Sequence, residues 1–451
     1  MAYIETLDYL YQLRRHGIRL GLKRMETLLA LVQHPERQFR SVHIGGTNGK
    51  GSTAAMVASA LIQGGYRVGL YTSPHLIDFS ERITVSGTPI SSEEIVRTTE
   101  LLREKVESEA PHLSGKITFF EFTTALAFLF FAEQKVDLAV VEVGMGGRFD
   151  ATNVLTPLAT GITHIDMDHE RYLGSTILDI AAEKAGIIKR KIPVVTSASQ
   201  LEVLSLLEET ARFKHAPLIR LGHEITVAPE SSEETIGLNG GPRFLYRGGK
   251  ERAVECGLLG RYQIDNAAVA LGLLEVLHRN GLSLSEEDLL EGIRRVSWDG
   301  RLEVFRKRPL ILLDGAHNPS GAKMLGRFLT EVDPIQRGKH WMLIGIMSDK
   351  NATEVMSPLV GWADEVVLTR PEIERAADPH KLAVSLQRAS EMGAHNEGLV
   401  SRTIHEKISD AVAYINALIQ PQDTLVITGS LYTVGEAKAL LKGTTPSMIR
   451  G

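Results

Sequence analysis

Between Gly46 and Ser52 the chain reads Gly-Thr-Asn-Gly-Lys-Gly-Ser, after a short apolar run and before a stretch rich in small residues. Phosphate chemistry uses each part of such a segment. Glycines let backbone N–H groups approach anionic oxygens closely. A helix starting there points its positive end at the anion. Lys50 adds a mobile positive charge for outer phosphates, and a hydroxyl such as that of Thr47 or Ser52 can help hold Mg²⁺. The common phosphate-loop motif is only partly met: Ile44 stands where its first glycine belongs, and Gly51 where Ser or Thr would follow the lysine. A plain glycine-rich turn is the competing reading, and the strand-turn-helix setting argues against it.

Other polar groups sit where they are costly unless used. Glu142 interrupts the apolar run Val136 to Val143. A carboxylate there needs a cation or hydrogen bonds; Mg²⁺ prefers hard oxygen ligands, and an ion pair to Arg148 is the alternative. Asp166-Met167-Asp168-His169 ends another apolar run, and polar groups at a strand end are well placed for a site. Asp314-Gly315-Ala316-His317-Asn318-Pro319 ends a third, with proline at a helix start. Arg301, in Gly300-Arg301-Leu302-Glu303, would stabilise charge on a transferring phosphate, or else is a surface arginine in a linker.

These residues need a scaffold. Helices are expected at 3–32 (broken near His16-Gly17), 52–63, 117–134, 176–189, 258–279 and 285–296, with strands at 41–44, 67–71, 136–143, 158–163 and 192–196. Buried apolar strands alternating with helices predict a parallel sheet covered on both faces. Residues 222–257 are glycine-rich and polar and suit a small antiparallel excursion. Near Ser297 to Arg301 the alternation restarts, with strands at 310–313, 341–345, 365–369 and 424–428. The fold class is therefore α/β: a phosphate-loop-type parallel-sheet domain over 1–298 and a smaller Rossmann-like α/β domain over 299–451, with a ligand cleft between them.

Composition narrows the function. A formal net charge of −5 gives no overall basic field for nucleic acid or an anionic membrane. One cysteine, Cys256, excludes a disulfide framework and a cysteine-based zinc site within one chain. The segment Met1 to Asp8 does not read as a secretory signal. Phe119 to Ala132 is too short to span a bilayer. The expected compartment is the cytoplasm.

Gly-Thr-Asn-Gly-Lys-Gly-Ser resembles the nucleotide loop of the Mur ligase superfamily, and within it the folylpolyglutamate synthase branch. Further motifs follow in the family's order: Tyr71-Thr72-Ser73-Pro74-His75-Leu76 with Glu81-Arg82-Ile83; Glu142 to Asn153; Asp166 to His169; Gln263-Ile264-Asp265-Asn266; Gly300 to Glu303; and Asp314 to Pro319. The resemblance runs from residue 18 to Gly429-Ser430 and is weakest over 199–255. It implies ATP on Thr47, Asn48, Gly49, Lys50, Gly51 and Ser52, with Asn266 at adenine and Arg301, Asp314 and His317 completing the site. It implies Mg²⁺ on Ser73, Glu142 and His169, with a monovalent cation as an optional companion. Arg19, Leu20, Gly21 and Leu22, then Thr118, Phe119, Phe120 and Glu121, then Phe149, Asp150 and Ala151 resemble the family's pterin-binding surfaces. An aromatic face such as Phe120 would stack on a flat ring; plain core packing is the alternative. Lys184 matches a lysine that the family carbamylates, a salt bridge to Asp179 or Glu183 being the alternative.

The implied reaction joins L-glutamate to tetrahydrofolate or dihydropteroate through an acyl phosphate. Lys50, Glu142, His169, Lys184 and Arg301 are its catalytic set, and a monomer is expected. A peptidoglycan-precursor ligase of the same superfamily would carry an extra N-terminal domain, and only about 45 residues precede the loop. A small-molecule kinase using the same loop would have no need of an amine acceptor or of the motif from Asp314 to Pro319.

Overall fold

The computed structural model describes residues 2–17, 19, 21–230, 238, 240–332, 338–392 and 401–444. Eight strands form the first sheet: β1 (Arg40–Gly45), β2 (Val68–Tyr71), β3 (Ile83–Val85), β4 (Thr88–Pro89), β5 (Leu138–Glu142), β6 (Ala159–Ile162), β7 (Val194–Thr196) and β8 (Leu218–Arg220). Their order is β4-β3-β2-β5-β1-β6-β7-β8. All neighbours from β2 to β8 run parallel, while β3 and β4 fold back antiparallel at one edge. The central strands β1, β5 and β6 are buried nearly throughout, as apolar runs covered on both faces require.

Helices flank this sheet: α1 (Tyr3–Gln12), α2 (Lys23–Leu31), α3 (Lys50–Gln63), α4 (Ser92–Glu109), α5 (Phe119–Glu133), α6 (Glu170–Leu173), α7 (Ile177–Ala185), α8 (Leu201–Phe213), α9 (Gln263–Arg279) and α10 (Glu286–Arg295). α3 owes its burial to small residues, with Ala54, Ala55, Ala58 and Ala60 all inside. α10 approaches it so closely that a Cβ on Gly292 would fall 2.2 Å from Ala60 Cα. The excursion over 222–257 is an antiparallel sheet of β9 (Thr226–Pro229), β10 (Arg243–Arg247) and β11 (Glu251–Glu255).

The second large sheet has the order β12-β13-β17-β14-β15-β16. It comprises β12 (Glu303–Lys307), β13 (Leu310–Leu313), β14 (His340–Ile344), β15 (Glu365–Leu368), β16 (Ser401–Ile404) and β17 (Thr424–Thr428). β12 is antiparallel to β13 and the rest are parallel. The helices α11 (Pro319–Val332), α12 (Ala352–Val360), α13 (Pro379–Met392), α14 (Ile408–Leu418) and α15 (Leu431–Leu441) pack on it. The four strands expected here are present; β12 and β16 are additions at the two edges, where partly exposed, polar strands carry a weak apolar signal. Among the described residues no helix is long and apolar enough to cross a membrane.

Candidate active site

The phosphate loop leaves β1 through Gly46 and enters α3 at Lys50. Its shape is set by the segment after β6. Thr47 N–H donates to the His164 carbonyl at 2.7 Å, and the Thr47 hydroxyl donates to the Asp166 carbonyl at 2.9 Å. The Thr163 hydroxyl donates to the Asn48 carbonyl at 2.8 Å. Gly46 has φ +142° and a Cβ there would sit 1.9 Å from Thr163 Oγ1. Gly49 has φ +90°, and its Cβ would lie 2.1 Å from Asn266 Oδ1. Both glycines are required by positive φ and close approach together, and the second contact brings Asn266 of α9 onto the loop.

One cleft collects most of the expected residues. Its lining includes Thr47, Asn48, Gly49, Lys50, Gly51 and Ser52 of the loop, Ser73, Glu142 and His169 nearby, and Asn266, Arg301, Asp314 and His317 opposite. Thus both large sheets contribute. The Lys50 ammonium folds back on its own loop, donating to the carbonyls of Thr47 at 3.0 Å and Gly46 at 3.2 Å.

Glu142 ends β5 only 5% exposed. Ser73 N–H donates to its carboxylate at 3.0 Å. Burial pushes its carboxyl up, while Lys50, the Ser73 N–H and Arg301 pull the other way. Arg148 is not its partner, since that guanidinium lies 3.7 Å from Glu183. His169 is held by burial at about 4, against the pull of Asp168, so its imidazole is neutral near pH 7. A buried carboxylate, a neutral imidazole and the Ser73 hydroxyl on one wall suit a divalent cation. Among the described residues no three His, Cys, Asp or Glu side chains cluster closely enough to hold a metal alone. Mg²⁺ takes few protein ligands and completes its shell with water and phosphate.

Across the cleft, Asp314 stitches the linker to β13. Its carboxylate accepts the N–H groups of Leu302 and Ala316, both at 2.9 Å, and burial pushes its carboxyl up. This fixes Arg301 beside Gly315. The His317 Nδ1–H donates to the Gly315 carbonyl at 2.8 Å, and its Nε2 lies 3.8 Å from Asp168. Asn48 and Asn318 exchange side-chain amide hydrogen bonds of 3.3 and 3.0 Å across the cleft.

Lys184 does not face the main cleft. It lies on α7, 4% exposed, and lines an adjoining recess with Lys50, Asp168 and His169. Its ammonium donates to the Gly46 carbonyl at 2.8 Å, the same oxygen that Lys50 engages. Burial and the Lys50 charge lower it to about 7. Asp179 instead caps α7 through Thr176, and Glu183 faces Arg148.

The expected pterin surfaces lie outside the cleft lining. Glu121 accepts Arg24 Nε at 2.9 Å and the Thr118 N–H at 2.8 Å, closing a capping box at the start of α5. Phe119 is core. Phe120 stacks on Tyr71 at 6.0 Å and leaves no room for a Cβ on Gly144. Asp150 accepts the N–H groups of Met145 and Thr152 at 2.9 and 3.0 Å and opens the 3₁₀ turn containing Ala151. Phe149 is 41% exposed. Arg19 offers its carbonyl to Arg24 at 2.6 Å; Gly21 has φ +117°, and Leu22 precedes α2. Leu20 lies outside the described residues.

Sequence reasoning missed Lys350, which ion-pairs with Asp168 across the cleft, and also Tyr262 and His164 of the lining. Lys350 follows a strand end, in Met347-Ser348-Asp349-Lys350, and that position was its only signal.

The Mur ligase middle domain model matches residues 44–274, and the Mur ligase glutamate ligase domain model matches 300–431. The dihydrofolate synthase/folylpolyglutamate synthase of Bacillus subtilis is 35% identical over 98% of this chain and 99% of its own. A crystal structure of folylpolyglutamate synthase from Thermotoga maritima superposes with a TM-score of 0.82 at 36% identity, covering 98% of this chain and 97% of the other. The folylpolyglutamate synthase of Mycobacterium tuberculosis, solved with ADP and AMPPCP, gives 0.85 at 33% identity, covering 99% and 100%. With phosphate loop, Glu142 and the Asp314 motif facing one cleft, the chain belongs to the Mur ligase family, in the branch of the folylpolyglutamate and dihydrofolate synthases.

Proposed function

We propose that the protein couples ATP cleavage to the ligation of L-glutamate to folates, both tetrahydrofolate and dihydropteroate, through an acyl phosphate. The observation that carries this is the convergence of Lys50, Ser73, Glu142 and His169 from one half with Arg301, Asp314 and His317 from the other on a single cleft. The division at 298/299 is supported by the linker between α10 and β12.

The loop N–H groups and Lys50 receive the nucleotide phosphates, with Asn266 on the adenine side. Mg²⁺ held by Ser73, Glu142 and His169 would neutralise phosphate charge. Lys50 must leave its carbonyl partners to reach a phosphate, exchanging two neutral acceptors for an anionic one. Arg301 faces the transferring phosphoryl group, its backbone pinned through Asp314. Charge stabilisation and alignment of the folate carboxylate, then of the glutamate amine, are the protein's main contributions. The stretches Arg19 to Leu22, Thr118 to Glu121 and Phe149 to Ala151 are proposed to shape the pterin side, with Glu121 and Asp150 acting through the backbone they hold.

We also propose that Lys184 is carbamylated. It is buried, held at about 7, and beside His169 and Asp168. An ammonium has three donors and no acceptor, whereas its carbamate is anionic and offers two oxygens. A monomer is the proposed working state, because one chain completes the cleft. No nucleic-acid partner is proposed for a chain of net charge −5, and the cytoplasm, where ATP is supplied, is the proposed compartment.

The test is ADP release with dihydropteroate or tetrahydrofolate, each with and without L-glutamate, followed by product mass. Glutamate-dependent release and a mass gain of one glutamyl residue are expected. A phosphorylated product formed without glutamate would replace this reading by a kinase.

A further inference from the structure

Lys438, on α15, is only 2% exposed, and the reaction above does not use it. A buried ammonium is costly unless carboxylates meet it. Two do. Its Nζ donates to Asp299 Oδ2 and, at 2.9 Å, to Glu303 Oε2. These carboxylates flank Arg301 in Asp299-Gly300-Arg301-Leu302-Glu303. One ammonium thus grips both ends of the turn that carries Arg301.

The turn is also tied down along its backbone. Gly300 N–H donates to Glu303 Oε2 at 2.9 Å, so the oxygen that meets Lys438 also holds the residue before Arg301. The Gly300 carbonyl accepts Gly315 N–H at 2.8 Å, and Leu302 N–H donates to Asp314 at 2.9 Å. Leu302 has φ +47°. A non-glycine residue in that left-handed region persists only where its surroundings over-determine it. The outcome is that Arg301 lies against Gly315 and Leu431: a Cβ on Gly315 would come 2.8 Å from Arg301 Nη1 and 2.4 Å from Leu431 Cδ2. Leu431 opens α15 and lines the cleft. Lys438 follows about two turns later on the same helix.

The residue before this turn belongs to the other half. Trp298 packs on the core that contains α3 and α9, and a Cβ on Gly51 of the phosphate loop would lie 3.1 Å from its Nε1. The chain therefore passes from one half to the other between Trp298 and Asp299. Without a tie to the second half, the residues after Trp298 would form a loose connection, and Arg301 would sample many directions.

We propose that Lys438 is the positioning residue of Arg301: through Asp299 and Glu303 it clamps the turn to the second half, so that the guanidinium is aimed into the nucleotide cleft before a substrate arrives. This rests on the part in phosphoryl transfer proposed above for Arg301. Charge that is placed in advance needs no reorganisation in the transition state. A guanidinium that must first be ordered loses part of that effect. Lys438 acts only through the turn, so its loss slows the chemical step and leaves nucleotide affinity nearly unchanged.

Lys438→Met removes the clamp. Asp299→Asn weakens one arm at a side chain that is 60% exposed, where the fold is not at risk. Hydrogen exchange at the Gly300 and Leu302 amides needs no ligation. It should be about tenfold faster in Lys438→Met than in the parent, with the amides of β14 unchanged. Rapid-quench ADP formation at saturating substrates should slow about thirtyfold in Lys438→Met and about threefold in Asp299→Asn, while the equilibrium Kd for ATP shifts less than about threefold. In an Arg301→Ala background, Lys438→Met should not slow that step further. If Lys438→Met alone does not fold, Lys438→Met with Glu303→Gln, which removes the less exposed unpaired carboxylate, carries the same measurements. Faster exchange at the turn together with full-rate ADP formation in both Lys438→Met and Arg301→Ala would uphold the clamp and take Arg301 out of phosphoryl transfer. Unchanged exchange at Gly300 and Leu302, exchange that rises equally throughout the second half, full-rate ADP formation in Lys438→Met where Arg301→Ala is slow, or the same slowing with and without Arg301 would each overturn the proposal.

Discussion

Lys350, beyond the end of β14, places its ammonium on the carboxylate of Asp168, beyond the end of β6, and so joins the two large sheets across the nucleotide cleft. Both side chains are nearly buried there. Asn318 adds a hydrogen bond of 3.4 Å to the same carboxylate. Burial alone would push the Asp168 carboxyl up. The His317 contact, His169 and Lys350 outweigh it and hold the group well below the usual carboxylate range.

Removing one member of this pair leaves a buried charge uncompensated, which costs about 3–5 kcal/mol at fully buried sites. Some relaxation is expected here because the cleft admits water. Lys350→Met should lower stability by about 2 kcal/mol and expand the nucleotide-free molecule in small-angle scattering. Lys350→Met combined with Asp168→Asn should be less destabilised than the two single changes added together. Strict additivity in denaturant unfolding would mean the pair carries no coupling.

Lys50→Ala should nearly abolish ligation with little loss of stability. The side chain is only partly buried, and its two partners are carbonyls of its own loop. Folding therefore depends little on it, while charge at the phosphates depends on it strongly. Steady-state assays at saturating folate check this, and an unchanged kcat and KM for ATP would remove Lys50 from the site.

How much of this was legible follows from where each signal resides. The phosphate loop was readable because its backbone demands particular residues. Gly46 and Gly49 stand at positive φ against Thr163 and Asn266, and no other residue type fits there. Glu142 was readable because a carboxylate inside an apolar strand is anomalous by itself. Lys350 was not, because its meaning lies 182 residues away in Asp168 and one lysine in a polar loop resembles any other. Glu121 carried a signal that the resemblance obscured. Thr118-Phe119-Phe120-Glu121 has the spacing of a capping box, and the structure uses it as one.

Arg301→Ala should slow formation of the acyl phosphate more than it weakens folate binding. A cation facing the transferring group acts chiefly in the transition state. Loss of one such contact commonly costs about a hundredfold or more in rate. Rapid-quench measurement of ADP formation against equilibrium folate binding separates the two. A change confined to the folate Kd would place Arg301 on the other substrate.

Glu436, on α15, is raised to about 7 by burial and by the charge of Glu372, although Glu372 N–H donates to it at 3.0 Å. The folded protein thus binds a proton that the unfolded chain releases above its ordinary value. The stability this gives is present below about 4.5 and is lost as pH rises through about 7. Glu436→Gln keeps an acceptor for the N–H and cannot ionise. It should raise stability by about 1 kcal/mol at pH 8 and do little at pH 5. Thermal melts at the two pH values check this; an equal shift at both would point to packing rather than titration.

Lys184 gives the sharpest chemical prediction. Its amine is lowered to about 7 by burial and by Lys50. Below that value the folded state carries a buried ammonium beside another lysine, and the burial penalty is present in full. As pH rises from about 7 toward the ordinary 10.5 that penalty is relieved, because the folded protein releases its proton before the unfolded chain does. Near neutrality the free amine is therefore well populated and able to add carbon dioxide, which replaces a like charge with an anion beside His169. Protein equilibrated with ¹³C-bicarbonate near pH 8 should show a carbamate resonance that is absent from Lys184→Ala. That variant should lose most of its ligase activity and regain part of it in acetate or formate, whose carboxylate can occupy the vacated recess. Loss without rescue, together with no carbamate signal in the parent, would leave Lys184 as the buried donor to Gly46 and nothing more. Full activity in Lys184→Ala would deny the carbamate any catalytic part even if its resonance were found.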